Sequence, residues 1–327
     1  MVTGAAGATK RVHLAEVVAN VGLCREHFQL TSAVNGQVAA RAGQFVHLCP
    51  AVPENPPSVT SQDDVRDSST RWGDRLRTPM LRRAFSVADH RCSAGRTEID
   101  IIYRAVGKAS RWMASLIPGD SVSLLGPLGN TFPISDSKPT AWLVAGGVGL
   151  PPMLYLARAL RATGKLVTAF FGAQRRDLVP LTLRECVIFP ADGRNAVFGA
   201  EPFTGLGVPI VLSTDDGSLG FPGHVGRALE AFKAAQVVKP DEVVVYTCGP
   251  ERMMRFVAEV CTHWGMECHV CMERAMACGM GTCQSCVVPV HDPQAIDGWT
   301  YRLCCTEGPV FNARMILWDD PSRETGG

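Results

Sequence analysis

Three features are scarce in this chain, and each scarcity removes a class of function. Charge of one sign is the first: 32 Lys and Arg stand against 31 Asp and Glu, a net charge of +1 over 327 residues. That balance leaves no electrostatic footprint for a nucleic acid or an anionic membrane surface. An export signal is the second: Met1 to Arg11 is mostly Gly, Ala and Thr with no apolar core, so the expected location is cytoplasmic. The third is an unbroken apolar run. Ala141 to Ala157 carries no charge, but Gly146, Gly147, Gly149, Pro151 and Pro152 interrupt it. A lone lipid-exposed helix could not pair its backbone around such breakers, so a strand, a glycine turn and a helix are expected instead, with no membrane partner.

Cysteine, by contrast, is abundant. There are 13, an odd number, and seven fall at or after Cys268. That clustering in a long chain favours metal in a reducing compartment over a disulfide framework. The stretch Cys278-Gly279-Met280-Gly281-Thr282-Cys283-Gln284-Ser285-Cys286, followed by Cys304-Cys305, has the Cys-x4-Cys-x2-Cys spacing, with a distant fourth thiolate, of a plant-type 2Fe-2S cluster. Gly279 and Gly281 suit a loop whose backbone must approach an inorganic core. Zinc sites favour paired Cys-x2-Cys hooks, whereas here three thiolates crowd one nine-residue loop.

The rest of the chain divides by pattern. Residues 10–135 hold short apolar runs separated by turn residues, including Arg11 to Leu48, Ala84 to Val87, Glu98 to Arg104 and Ser121 to Leu125. Such runs predict an antiparallel β-barrel. A segment at about 50–78, rich in Pro, Ser, Asp and Arg, is expected to be a mobile surface insertion. Residues 138–265 alternate strands (Ala141 to Ala145, Lys165 to Phe171, Val208 to Ser213, Val243 to Thr247) with helices (Pro151 to Ala162, Val225 to Ala235, Glu251 to Trp264). Alternation of this kind predicts a Rossmann-like parallel sheet, and residues 268–318 make a small cluster domain. The fold class is therefore α+β and α/β, multidomain.

Four motifs suit cofactors. In Arg83-Ala84-Phe85-Ser86 a cation can meet a diphosphate, an aromatic can flank a flavin ring and a hydroxyl can bond its polar edge. Ile102-Tyr103-Arg104 runs into Gly107-Lys108-Ala109-Ser110 and a helix from Ser110 to Leu116, whose start exposes N–H groups. Gly146-Gly147-Val148-Gly149 and Cys248-Gly249-Pro250 each join a strand to a helix, the edge of an α/β sheet where phosphate-bearing ligands bind. Neither is the Gly-x-Gly-x-x-Gly fingerprint, yet two such turns make a nicotinamide dinucleotide the natural guest.

In this order, with Gly126 to Asn130 and Cys305-Thr306-Glu307-Gly308-Pro309-Val310-Phe311, the motifs resemble one family from about Arg11 to Trp318. This is the electron-transfer subunit of the two-subunit, NAD-linked dihydroorotate dehydrogenase, within the ferredoxin-reductase-like flavoproteins. The resemblance implies an FAD-binding barrel, a nicotinamide domain and a 2Fe-2S domain. FAD would be held by Arg83, Ala84, Phe85 and Ser86, by Ile102, Tyr103 and Arg104, and by Gly107, Ala109 and Ser110. NAD would be held by Gly146, Gly147, Gly149, Cys248, Gly249 and Pro250, and the cluster by Cys278, Cys283, Cys286 and Cys305. Cys305 is preferred over Cys304 for its distance from Gly308. Ala109-Ser110 departs from the family's usual Gly-Thr but keeps the hydroxyl; the insertion at about 50–78 is a second departure. The implied partner is an FMN-containing catalytic subunit in a heterotetramer, with electrons passing to NAD+ in pyrimidine synthesis. No general base is expected. The alternatives are a flavin and cluster subunit of ferredoxin-NADP-reductase or hydrogenase type, and a thiol-rich module on an inactive scaffold.

Other residues carry plainer expectations. Cys268-His269-Val270-Cys271 reads as a strand with one inward cysteine, and Cys24, Cys49, Cys92, Cys186 and Cys261 as small core hydrophobes. Arg175-Arg176 reads as an exposed basic pair. The thiolate assignment makes a direct prediction: Cys283→Ser should lose iron on metal analysis. The wild-type visible spectrum should show flavin and cluster bands that bleach with NADH under anaerobic conditions, which an inactive thiol module would not do.

Overall fold

The computed structural model describes residues 11–51, 81–184 and 197–320. Beyond its first two positions, the insertion expected at 50–78 lies outside the described residues, as does Cys186. The first sheet is built from β1 (Arg11–Cys24), β2 (His27–Asn35), β3 (Phe45–Pro50), β4 (Arg83–Ser86), β5 (Asp89–Ser93), β6 (Arg96–Arg104) and, after the short helix α1 (Lys108–Ala114), β7 (Ser121–Leu128). Its order is β4-β3-β7-β1-β2-β6-β5, and every pairing is antiparallel. The separate apolar runs before Leu23 belong to one long strand. Register shifts between Val17 and Ala19 and between Gly22 and Cys24 bend it, as bulges do. Alternate residues turn inward: Ala15, Val17, Leu30, Val46, Leu48, Ile99, Ile101, Val122 and Leu124 are buried in one core.

Strand β5 has no apolar alternation and is invisible to a search for it. What holds it is charge: Arg91 bridges Asp89 at 2.9 Å, Asp100 at 2.8 Å and Glu98 at 3.2 Å, with Asp89 and Asp100 buried. Helix α1 starts at Lys108, two positions before the expected Ser110.

The second sheet contains β8 (Thr140–Gly146), β9 (Leu166–Ala173), β10 (Thr182–Arg184), β11 (Val197–Glu201), β12 (Ile210–Thr214), β13 (Phe221–Pro222), β14 (Val243–Cys248), β15 (Glu267–Cys271) and β18 (Val310–Asn312). Between them run α2 (Leu150–Ala162), α3 (Val225–Ala234) and α4 (Glu251–His263). The order is β10-β11-β12-β9-β8-β14-β15-β18; β12, β9, β8, β14 and β15 are mutually parallel. The order reverses between β8 and β14, the switch point at which doubly wound sheets open a crevice. Helices cover both faces, so the central strands are apolar without alternation. Leu143 and Tyr246 join the core that contains α2; Trp142, Val144 and Val245 join the core that contains α3 and α4.

Helix α2 also ties this sheet to the first. Tyr155 Oη donates to the Ala40 carbonyl at 2.7 Å, and Arg158 reaches Asp89 at 3.0 Å. The C-terminal segment is tied to both sheets. β15 and β18 extend the parallel sheet, while β16 (Val287–His291) and β17 (Trp299–Leu303) form a separate antiparallel hairpin. Asn130, just past β7, grips the chain ahead of β18. Its Nδ2 donates to the carbonyls of Glu307 at 2.9 Å and Val310 at 2.8 Å, its Oδ1 accepts from the Val310 N–H at 2.9 Å, and its own N–H donates to the Gly308 carbonyl at 2.6 Å. A Cβ at Gly129 would lie 2.6 Å from Pro309 and 2.9 Å from the Phe45 ring. The two motifs Gly126 to Asn130 and Gly308 to Phe311 are therefore halves of one contact.

Cys268 and Cys271 are both buried, not one. Three positions apart on β15 they face opposite sides of a sheet that is covered on both. Among the scattered cysteines in the described residues, only Cys261 is core; Cys24 and Cys49 are half-buried, and Cys92 is exposed at a strand end. Among the described residues no helix is long and apolar enough to cross a membrane. Because Leu143 is fully buried in the central strand of the parallel sheet, Leu143→Ala should cost about 2–5 kcal/mol. A lowered urea midpoint at unchanged slope would report it.

Candidate functional site

The strand-to-helix turns foreseen at 146–149 and 248–250 meet at the switch point. Cys248 pairs with Ala145 across β14 and β8. A Cβ at Gly149 would lie 2.0 Å from the Cys248 carbonyl oxygen, and one at Gly249, whose φ is +146°, would lie 2.7 Å from the Gly146 carbonyl oxygen. Each turn thus excludes side chains from the other. Gly149 and Gly249 serve this packing, whereas Gly146, Gly147 and Pro250 line a cavity of about 390 Å³, together with Asp215, His224 and Arg252.

A larger cavity, about 590 Å³, adjoins it, and Arg104, Val148 and Glu273 line both. Ala84, Phe85 and Ser86 of β4, Ile102, Tyr103 and Arg104 of β6, and Cys248 form much of its wall; Met272 to Met276, the stretch leading into Cys278, forms another part. The aromatic side is rigid. Tyr103 stacks on Phe28 at 5.7 Å and meets Phe85 edge-on at 6.1 Å; burial pushes its phenol up to about 12, while its hydroxyl donates to Asn20 Oδ1 at 3.1 Å. Arg104 is held by Glu26 at 2.9 Å. A hydrogen bond with Cys271, then burial, pushes the Cys248 thiol well above its ordinary range. Glu273 keeps exposed surface where it lines the cavities, yet enough protein surrounds its carboxyl for desolvation to raise it. Shape and lining fit a flavin beside a nicotinamide: aromatic walls, the guanidinium groups of Arg104, Arg252 and Arg274, and a glycine turn at a helix start.

Not every foreseen residue reaches this space. Arg83 is exposed and its guanidinium turns back to the Arg82 carbonyl. Gly107, Ala109 and Ser110 lie outside both cavity walls. The Ser110 hydroxyl accepts from the N–H groups of Val106 at 3.1 Å and Gly107 at 3.0 Å, closing its own turn. The Arg175 guanidinium is paired with Asp177 at 3.1 Å.

The cysteine loop lies beyond the larger cavity. Its thiols fall into two pairs: the Cys283 N–H points at the Cys278 sulfur and the Cys305 N–H at the Cys286 sulfur, both at 3.4 Å. Cys286 and Cys305 are buried, Cys278 is half-buried and Cys283 exposed. The Ser285 hydroxyl, 3.2 Å away, leads the hydrogen bonds that hold the Cys283 thiol down to about 6. Burial, then Cys286, raises Cys305 to about 11. Among the described residues no three His, Cys, Asp or Glu side chains converge as a single-ion site. Two thiol pairs are the donor set of a two-iron cluster. Cys304 points elsewhere, donating to the Met272 carbonyl at 3.4 Å.

Two comparisons with known proteins give the kinship. Residues 273–317 match the model of the iron-sulfur cluster binding domain of dihydroorotate dehydrogenase B. The electron transfer subunit of dihydroorotate dehydrogenase B (NAD(+)) from Geobacillus kaustophilus is 36% identical over 73% of this chain and 81% of its own length. The chain belongs to this family of electron transfer subunits. The Desulforamulus reducens member is 30% identical over 74% of this chain and 82% of its own. Among solved structures, an NADH-dependent reduced ferredoxin-NADP oxidoreductase matches 96% of this chain and 92% of its own, with a TM-score of 0.68 and 22% identity. A ferredoxin NADP+ reductase from Neisseria gonorrhoeae matches 81% and 93%, with a TM-score of 0.54 and 14% identity. At those identities the likeness concerns the fold, a ferredoxin-reductase-like antiparallel sheet and parallel sheet with a C-terminal cluster segment.

Cavity residues that sequence reasoning missed include Met272 to Met276, Asp215 and His224. The first group had a signal, since it bridges a strand and the cysteine loop; the others had none in local pattern. Gly279 is the tightest point of that loop. Its φ is +71°, and a Cβ there would lie 2.8 Å from the His47 ring. Gly279→Ala should therefore carry about 1–2 kcal/mol of backbone strain plus that clash, and lose iron on desalting while flavin absorbance is retained.

Proposed function

We propose that this chain carries electrons from a catalytic dihydroorotate dehydrogenase subunit to NAD+, in pyrimidine synthesis. One observation supports it above the rest: a single cavity is walled by the barrel motifs, by the Cys248 turn and by the segment that runs directly into Cys278. When bound, FAD supplies the exchange between the two electrons of a hydride and the single electrons of an iron-sulfur cluster.

The chain's own residues hold and orient. Ala84, Phe85, Ser86, Ile102, Tyr103 and Arg104 form the flavin wall, with Arg83, Gly107, Ala109 and Ser110 assigned to the same cofactor on motif alone. Gly146 and Gly147 admit a dinucleotide phosphate at the start of α2, while Gly149, Cys248, Gly249 and Pro250 keep the turn narrow. Cys278, Cys283, Cys286 and Cys305 are the cluster ligands. The exposure of Cys283 and of Met280, at 53%, supports delivery across a surface to a partner.

The finer assignments extend this reading. Functional units run over residues 10–135 for FAD, 138–265 for NAD and 268–318 for the cluster. The partner contains FMN, the complex is a heterotetramer built on a dimer of catalytic subunits, and the location is cytoplasmic. Co-expression with the catalytic subunit of the same source should give dihydroorotate-dependent NAD+ reduction that neither subunit shows alone. A pair that neither associates nor reduces NAD+, while this chain still carries FAD and cluster, would overturn the dihydroorotate assignment in favour of a ferredoxin- or hydrogenase-linked donor.

A further inference from the structure

Strand β3 presents a histidine whose ring no described residue answers. His47 has no exposed surface, and among the described residues neither of its ring nitrogens has a hydrogen-bond partner. Buried polar groups in native proteins are nearly always paired, and an unpaired one points to a missing occupant. In either neutral tautomer imidazole offers one N–H donor. Its immediate sheet neighbours are apolar: the cross-strand partners of His47 are Ala84 and Leu125, and the Phe45 ring lies 5.7 Å away.

What the ring does face is the cysteine loop. Its Cε1 and Nε2 would lie 2.8 and 3.0 Å from a Cβ on Gly279, the residue that follows Cys278. The same strand face borders the cofactor cavity through Phe45 and Ala84. A donor thus stands between the cavity and the loop, at a residue, Gly279, where the loop has no side chain to block it.

We propose that His47 is a positioning residue for the cluster, its ring N–H donating a hydrogen bond to a sulfur of the 2Fe-2S group held by this loop. The proposal rests on the cluster reading of the four thiols. A donor to sulfur favours the more negative, reduced state, so it raises the reduction potential. Nothing in local sequence pattern assigns this role, because His47 and Gly279 are joined only by tertiary packing.

The test is an EPR-monitored anaerobic redox titration of the full chain carrying its cofactors, in wild type, His47→Phe and His47→Gln. Phe keeps bulk and removes the donor; its cluster should be roughly tenfold harder to reduce at a given potential, a downward shift of about 59 mV for one electron. Gln restores an N–H and should recover most of the shift. A Phe variant with full iron and an unchanged potential overturns the proposal, as does an equal shift in both variants. Should Phe fail to retain iron, pulsed EPR of the reduced wild type labelled with 15N-histidine decides: coupling to a histidine nitrogen is expected, and its absence sinks the idea. A wild type with no 2Fe-2S signal at all would refute the cluster reading itself, a different failure from an unshifted potential.

Discussion

The grip of Asn130 on the chain from Glu307 to Val310 is the contact on which the arrangement of the molecule depends. One amide satisfies a carbonyl on either side of a turn and one N–H beyond it, joining the exit of the barrel to the end of the cluster segment. A half-buried amide of this kind specifies a geometry because its donors and acceptor are matched at once. Around it Phe45, Leu125 and Leu128 of the first sheet share a core with Cys286, Cys304, Cys305 and Phe311. The cluster segment is therefore packed against the first sheet as well as joined to the parallel sheet through β18.

A second set of contacts places the cavities. Helix α2 packs against the parallel sheet and reaches the barrel through Tyr155 and Arg158. The two cavities consequently open side by side, with Arg104, Val148 and Glu273 common to both. Electron carriers must lie close together to exchange electrons, and here closeness comes from packing between elements far apart in the chain. The chemistry belongs to the cofactors; the protein contributes spacing, shielding and the polarity of a few groups.

Several features were legible from residue pattern, each for a local reason. The four strands and three helices foreseen for the parallel sheet lie within one or two residues of the expected limits, because strands buried on both faces leave continuous apolar runs; β10, β11 and β13 were not foreseen. Arg104, Phe85 and Ser86 line the cavity that their motif suggested. Strand β5 was illegible because its inward positions are an acid and its partner strand supplies another, with Arg91 between them. The single inward cysteine expected of Cys268 to Cys271 became two, because the sheet there is covered on both faces.

By itself, then, the sequence determined what is written within a turn or a period: the spacing of thiolates in one nine-residue loop, the alternation of strand and helix, and the glycine turns. These are properties of neighbours, and neighbours in a chain are neighbours in space. Only the tertiary structure decided that Cys305 lies beside Cys286 while Cys304 turns toward Met272. It alone brought Gly129 against Pro309 and placed the unpartnered ring of His47 over Gly279. Adjacent residues in an extended or turning chain face different ways, and contacts between segments about 180 or 230 residues apart are selected by packing of whole elements, which no local spacing encodes.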